Sequence, residues 1–167
     1  IYEATFSHED VLVKVDILKR NGASHAWEII EVKSSTQVKA VHIPDAAVQL
    51  WVCRGAGLNV KSVSIMTINN QCTFPDLSNL FNLTDITKEA DDFIVGIPTT
   101  MKAFKVMLAS AKTPKIEIGK HCDDPYGCSF KTHCWSSCKI PAVSVFNIPR
   151  LSDEKKWAHY HDGKVDL

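Results

Sequence analysis

Alternating apolar and polar side chains in the first third of the chain constrain its fold more than any other feature. Residues 11–18 alternate along what reads as a β-strand. Asn21-Gly22 is a strong hairpin signal that joins this strand to a second one at residues 25–33. Another strand is predicted at residues 1–7. We therefore expect the chain to begin with an antiparallel strand meander.

A helix and a further strand are predicted next. Residues 44–54 form a mostly apolar run with Pro44 near its start and Gly55 at its end, which favours a helix packed on a sheet. Alternation predicts a strand at residues 61–69. Residues 84–111 read as two helices divided near Gly96 and Pro98. The order of elements predicts a mixed α/β core. Core candidates in the last two helices are Phe93, Phe104, Val106, Met107 and Leu108.

Composition limits the partners that can be expected. The chain has 19 basic and 19 acidic residues, so any nucleic-acid surface must be a local patch. No apolar stretch approaches the roughly 18 residues of a membrane span, so no membrane partner is expected. The sequence starts at Ile1, inside a predicted strand. We expect it to be joined to the remainder of a longer polypeptide.

Charged residues stand at mid-strand positions of the predicted hairpin. Glu31 and Lys33 are two apart, so they share one face of their strand, and antiparallel pairing can bring Asp16 level with Glu31. A lone Glu-x-Lys pair is usually an ordinary exposed feature of a solvated strand. Here the Asp comes one hairpin earlier, and the following helix carries Gln49 among apolar neighbours. These additions favour a functional site.

The chemistry of this residue set is that of phosphodiester cleavage. Two carboxylates can hold a hard cation such as Mg²⁺, which keeps several of its waters. The cation polarises the phosphate and helps to generate hydroxide, and an ammonium group positions that water or stabilises developing charge. We therefore predict that Asp16, Glu31 and Lys33 form a divalent-metal site that cuts phosphodiester bonds.

The order of these motifs resembles the RecB-like branch of the PD-(D/E)XK nuclease superfamily. In that branch an Asp precedes a (D/E)-x-K strand, and a helix then carries a Gln-hydrophobic-x-x-Tyr motif. This chain has Asp16, Glu31-Val32-Lys33 and Gln49-Leu50-Trp51-Val52-Cys53, with Cys53 where the family has its aromatic residue. The resemblance implies a restriction-endonuclease-like mixed sheet flanked by helices. It also implies a nuclease from bacteria that uses Mg²⁺ or Mn²⁺, with DNA favoured over RNA and an exonuclease favoured.

The resemblance also implies a role for each matching residue. Asp16, Glu31 and the carbonyl of Val32 would bind the metal. Lys33 would be the catalytic lysine, and Gln49 would orient the substrate or the site. Glu3 is similar to an upstream acidic position that assists the site in some members. The rival reading is a catalytically inactive nucleic-acid-binding or scaffolding module on the same fold.

Four cysteines crowd into a short segment near the end of the chain. Their positions are Cys122, Cys128, Cys134 and Cys138. The first three resemble the cysteine tail of RecB-like nucleases that carry a 4Fe-4S cluster. The fourth ligand would be an upstream cysteine outside this sequence, or Cys138. Zinc held by all four is the alternative, and unliganded thiols are a third possibility.

The cysteines bear on the cellular compartment as well. An even count of six and the Asn82-Leu83-Thr84 sequon would suit a secreted, disulfide-bonded protein. Clustering at one end of the chain instead favours metal ligation and a reducing compartment. We therefore expect a cytoplasmic protein, with a nuclease domain at residues 1–150 that includes the cysteine segment 122–138. Residues 151–167 read as a polar tail or linker.

Overall fold

The protein is described by a computed structural model that covers residues 1–20, 22 and 25–167. This part of the chain forms two compact units, Ile1–Ala111 and Lys112–Leu167. The predicted boundary lies after residue 150, whereas the structure groups the cysteine segment and the expected tail in one unit. Asn21 of the predicted hairpin turn lies outside the described residues.

The first unit is built on a mixed five-stranded sheet, as far as the described residues go. Its strands lie in sequence order, with β3 and β4 parallel and the other neighbours antiparallel. They are β1 (Tyr2–His8), β2 (Val11–Arg20), β3 (Trp27–Val32), β4 (Val60–Ile68) and β5 (Phe81–Asp85). Together with the helices, this sheet confirms the predicted mixed α/β class.

Five α-helices are present in the described part of the chain. The first unit contains α1 (His42–Gly55), α2 (Thr87–Ile94) and α3 (Ile97–Ala109), and the second contains α4 (Lys131–Ser137) and α5 (Asp153–His161). Helix α1 connects the parallel strands β3 and β4, a connection that needs a crossover. Within the described residues, no helix has both the length and the apolarity required to cross a membrane.

The core of the first unit lies between α1 and one face of the sheet. Leu50 and Val52 of α1 are fully buried in a cluster with Ile29 of β3 and Ile65 of β4. Cys53 is buried there too, and burial raises the pKa of its thiol to about 11. Cys53 is therefore a neutral thiol in the core.

The alternation of β2 shifts by one residue in its middle. Strict alternation places Val15 and Leu18 on opposite faces, yet both are buried in the same cluster. Leu18 pairs with Ile29, whose side chain is also in that cluster. Asp16 and Ile17 lie between Val15 and Leu18, where the alternation shifts, and both are partly buried.

The region after β4 differs from the sequence expectation. Residues 84 and 85, predicted to open a helix, end β5, because Phe81 and Leu83 pair with Ile68 and Met66 at the edge of the sheet. The expected core residues Phe93, Phe104, Val106, Met107 and Leu108 are exposed. Only Ile97 is buried among the described residues of α3. The two helices contribute Ala90 and Ile97 to the core cluster, with Ile94 and Met101 packed against it.

The second unit has a small core of its own. Trp157 of α5 is buried with Cys122 and Ile118, and Trp135 and Phe146 pack against them. The ring centroids of Phe146 and Trp157 lie 4.8 Å apart in an edge-to-face arrangement. Residues 153–161 therefore form a packed helix, not the predicted polar linker.

The packing of α1 predicts a difference between two leucines. Leu50→Ala should lower the free energy of unfolding by about 2–5 kcal/mol, because it leaves a cavity in a fully buried site. Leu12→Ala, at a side chain that is 69% exposed, should change it by less than about 0.5 kcal/mol. Urea unfolding measures both variants. Equal losses would contradict this assignment of the core.

Candidate functional site

The β2–β3 pairing brings Asp16 beside the strand that carries Glu31. Ile17 lies opposite Ile30, so Asp16 and Glu31 come next in this register. The Oδ2 atom of Asp16 accepts a hydrogen bond from the backbone N–H of Val32 at 2.8 Å. The hairpin therefore places the Asp16 carboxylate against the Glu31–Lys33 segment, as the sequence spacing suggested.

Glu31 is a buried carboxylate with two side-chain donors. Its residue is 6% exposed, on the face that α1 covers. The Nζ atom of Lys33 donates to its Oε1 at 2.7 Å, and the Nε2 atom of Gln49 donates to its Oε2 at 2.6 Å. A buried charge is costly unless it is paired and hydrogen-bonded, and these contacts supply both.

Lys33 is shared between two carboxylates. Besides Glu31, its Nζ atom contacts Oδ2 of Asp45 at 2.5 Å. Asp45 belongs to the first turn of α1. Asp45 is not among the predicted site residues, although the sequence holds a signal for it. It precedes Gln49 by four residues, a spacing that places both on one helix face. Helix α1 therefore supplies two polar residues to the site.

Gln49 has one polar atom that the described residues leave without a partner. Its Nε2 is engaged by Glu31, but its buried Oε1 has no hydrogen-bond partner in the described part of the chain. Buried polar atoms nearly always have a partner, so such an atom needs an explanation. An acceptor beside two carboxylates can take a hydrogen bond from water or from a hydrated cation.

The electrostatics of the site follow from burial and charge. Burial raises the pKa of Glu31, and the charge of Asp16 raises it further, against the hydrogen bonds from Lys33 and Gln49. For Lys33, burial opposes the charged form, but the bonds to Asp45 and Glu31 raise its pKa overall. Two carboxylates, one of them desolvated, thus lie around a single ammonium.

His42 lies near this charge cluster at the start of α1. It is buried, and its Nδ1 accepts a hydrogen bond from the backbone N–H of Lys39 at 3.1 Å. Burial lowers the pKa of His42, and the positive charges of Lys33 and Lys39 lower it further. Its contact with the backbone agrees with a histidine that fixes the entry to the helix.

The oxygen atoms of this site are of the kind that hard divalent cations bind. Asp16 and Glu31 offer carboxylate oxygens and Val32 offers a backbone carbonyl, which are ligands that Mg²⁺ and Mn²⁺ accept together with several waters. No group of three or more His, Cys, Asp or Glu side chains is arranged for metal binding within the described residues. A cation here would therefore depend on two carboxylates, the carbonyl and water.

Glu3 lies at the edge of this arrangement. It stands between Tyr2 and Ala4, which pair with Ile17 and Val15, so β1 places it beside Asp16. Its own carboxylate forms an ion pair with Lys14. Glu3 therefore lies beside Asp16 in the sheet, but its carboxylate is paired with Lys14.

The four clustered cysteines lie in the second unit as free thiols. The backbone N–H of Cys128 donates to the carbonyl of Cys122 at 2.8 Å, and that of Cys138 donates to the carbonyl of Cys134 at 2.9 Å. Cys122 is buried, Cys134 packs against the same core, and Cys128 and Cys138 are exposed. The main chain of Cys128 therefore folds back to that of Cys122, and Cys138 follows Cys134 by one helical turn.

No protein-family model matches this chain, and no curated protein matches it.

The raised pKa of Glu31 predicts a pH dependence of stability without metal. The folded state holds this proton more tightly than the unfolded chain does, so Glu31 costs stability as the pH rises from its ordinary value of 4.5 through the raised pKa. Relative to Glu31→Gln, the wild-type protein should lose stability over that window. Urea unfolding between pH 4 and 8, with a chelator present, measures the difference.

The matched control is Glu28→Gln on the same strand, whose carboxylate pairs with Lys19 at 3.4 Å. A stability difference between wild type and Glu31→Gln that does not change with pH would contradict the desolvation of Glu31.

Proposed function

We propose that this chain is a RecB-like PD-(D/E)XK nuclease domain that hydrolyses phosphodiester bonds in DNA with Mg²⁺ or Mn²⁺. The observation that carries the proposal is the Glu31 carboxylate, buried and bound by both Lys33 and Gln49. Burying a charge amid apolar residues for stability alone is seldom favourable, since apolar residues of similar volume often serve as well. A site that needs a carboxylate and an ammonium together accounts for this cost.

The order of the elements supports the proposal. The antiparallel hairpin β2–β3 carries Asp16, Glu31 and Lys33, and α1 then crosses to the parallel strand β4. This arrangement agrees with a restriction-endonuclease-like core, in which a hairpin and the following helix meet at the site. The contact between Gln49 of α1 and Glu31 of β3 joins the two halves of the motif.

Each residue has a distinct role in the proposed reaction. Asp16, Glu31 and the carbonyl of Val32 hold the cation, and Gln49 fixes one oxygen of Glu31. A bound Mg²⁺ or Mn²⁺ supplies Lewis-acid polarisation of the phosphate and a more acidic water. Lys33 carries the positive charge that orients the attacking water or stabilises the charge that develops on the phosphate. Glu3 is an auxiliary acidic group.

An inactive binding or scaffolding module is the second candidate. Lys33 is already paired with two carboxylates, and Cys53 stands in the core where the family has a tyrosine. A closed ion-pair network of this kind can be purely structural. The two candidates differ in whether the carboxylates bind metal and whether the protein cleaves DNA.

The cysteine segment is proposed to hold a structural iron–sulfur or zinc centre. The donor type fits, since both centres take thiolates. Cys128 and Cys138 are exposed, and no metal-holding group is formed among the described residues, so the geometry fits less closely than a closed four-thiolate site would. We assign this centre a structural role in the fold of residues 112–167 and no role in the proposed reaction.

Metal binding should depend on both carboxylates. Asp16→Ala and Glu31→Ala are each expected to abolish binding of Mn²⁺, because each removes half of the carboxylate ligands. Glu28→Ala, on the same strand as Glu31, should bind like the wild type. Calorimetric titration with Mn²⁺ compares the three variants. Unchanged affinity in both site variants would refute the metal site.

Cleavage should depend on Lys33 more strongly than metal binding does. Lys33→Ala is expected to retain Mn²⁺ binding and to lower the cleavage rate by about 10²-fold or more, as for a group that acts on the transition state. Lys19→Ala on β2 is the matched control. The assay is release of nucleotides from labelled DNA. A Lys33→Ala variant with the wild-type rate would exclude the catalytic role.

The proposed centre predicts iron and sulfide, or zinc, in protein purified without oxygen. Replacement of Cys122 and Cys134 by Ser should remove the metal and make residues 112–167 more sensitive to protease than the sheet, because the sheet has a separate core. Metal analysis and limited proteolysis measure these effects. A metal-free protein with a protease-resistant second unit would leave these cysteines as ordinary thiols.

A further inference from the structure

The ammonium of Lys33 joins two different elements of the first unit. It contacts Glu31 of β3 at 2.7 Å and Asp45 of α1 at 2.5 Å. The two carboxylates differ in surroundings, since the side chain of Glu31 is 9% exposed and that of Asp45 is 49% exposed. Lys33 is therefore bound on one side by a desolvated carboxylate and on the other by a carboxylate at the surface.

The proposed function creates a conflict at Glu31. One of its oxygens accepts from Lys33 and the other from Gln49. A divalent cation that takes an oxygen of Glu31 competes with the ammonium for negative charge and repels it. Lys33 needs a second anion if it is to stay beside the reacting phosphate after the cation is bound. Asp45 is already in contact with it.

We infer that Asp45 is a positioning residue that retains the ammonium of Lys33 in the site when a divalent cation takes Glu31. This role rests on the proposed function. In the absence of the cation, Lys33 forms ion pairs with Glu31 and Asp45 together. When the cation is bound, Glu31 serves the metal, and Asp45 alone keeps the ammonium oriented. Asp45 acts through Lys33 and contacts neither metal nor substrate.

Asp45 also has a structural effect, which the test must separate from this role. It lies in the first turn of α1, where a carboxylate stabilises the N-terminus of a helix. A loss of stability in an Asp45 variant would therefore say nothing about Lys33. The test must therefore measure quantities that do not change when the N-terminus of α1 is less stable.

The first readout is a double-mutant cycle on kcat with labelled DNA and Mg²⁺. Asp45→Asn should lower kcat about 10-fold or more, since small misplacement of a catalytic group is costly. In a Lys33→Met background the same substitution should have no further effect, because the group that it positions is gone. Asp45→Glu should restore part of the rate.

A matched control exists elsewhere in the same unit. Asp91 of α2 forms a 2.5 Å ion pair with Arg54, and its side chain is 45% exposed. Asp91→Asn therefore removes a similar surface carboxylate from a similar pair. Its kcat should equal that of the wild type in both backgrounds.

The second readout does not depend on activity. The ¹H–¹⁵N signal of the Lys33 ammonium in ¹⁵N-labelled protein is visible only while its protons exchange slowly with water. Hydrogen bonds to carboxylates slow this exchange. Addition of Mg²⁺ should leave this signal in the wild type and in Asp91→Asn. In Asp45→Asn, addition of Mg²⁺ should remove it.

The outcomes separate this inference from the proposed function. A wild-type protein that neither binds Mg²⁺ nor cleaves DNA overturns the metal site, and the role of Asp45 with it. The other outcome is that the wild-type protein binds Mg²⁺ and cleaves DNA while Asp45→Asn keeps an unchanged kcat and a persistent Lys33 signal. That result overturns the role of Asp45 alone.

Discussion

Burial of the Glu31 carboxylate is the constraint on which the rest of the site depends. Removing a carboxylate from water costs several kcal/mol even after the protein relaxes. The fold offsets this cost with two donors, Lys33 from the same strand and Gln49 from the helix above it. Because these donors come from β3 and α1, the charge cluster also fixes how the helix lies on the sheet. Asp45 completes the cluster from the same helix face.

The architecture explains why these residues can meet. The hairpin register carries Asp16, which lies where the alternation of β2 shifts, to the backbone N–H of Val32. The parallel pairing of β3 with β4 requires a crossover, and α1 provides it while it packs on the sheet. The apolar side of α1 then buries Leu50 in the core. The same helix brings Asp45 to Lys33 and Gln49 to Glu31.

Local patterns predicted much of this arrangement. The alternation of β2, the residues of β3 and the apolar run of α1 were sufficient to predict the hairpin, a helix packed on the sheet and the approach of Asp16 to Glu31. Asp45 was missed because a carboxylate in a first helical turn is common and its partner depends on tertiary packing. β5 was missed because a short edge strand has little periodic signal. The exposed apolar residues of α3 and the buried Trp157 likewise depend on tertiary contacts that spacing does not encode.

The central claim is that the carboxylates around Lys33 form a metal site. The most direct test is anomalous diffraction from crystals of the protein grown with Mn²⁺. The account predicts a manganese peak within coordination distance of Asp16, Glu31 and the carbonyl of Val32, with Lys33 still in contact with Asp45. Diffraction data with no peak at this position, and with Lys33 still bound to Glu31, would contradict it.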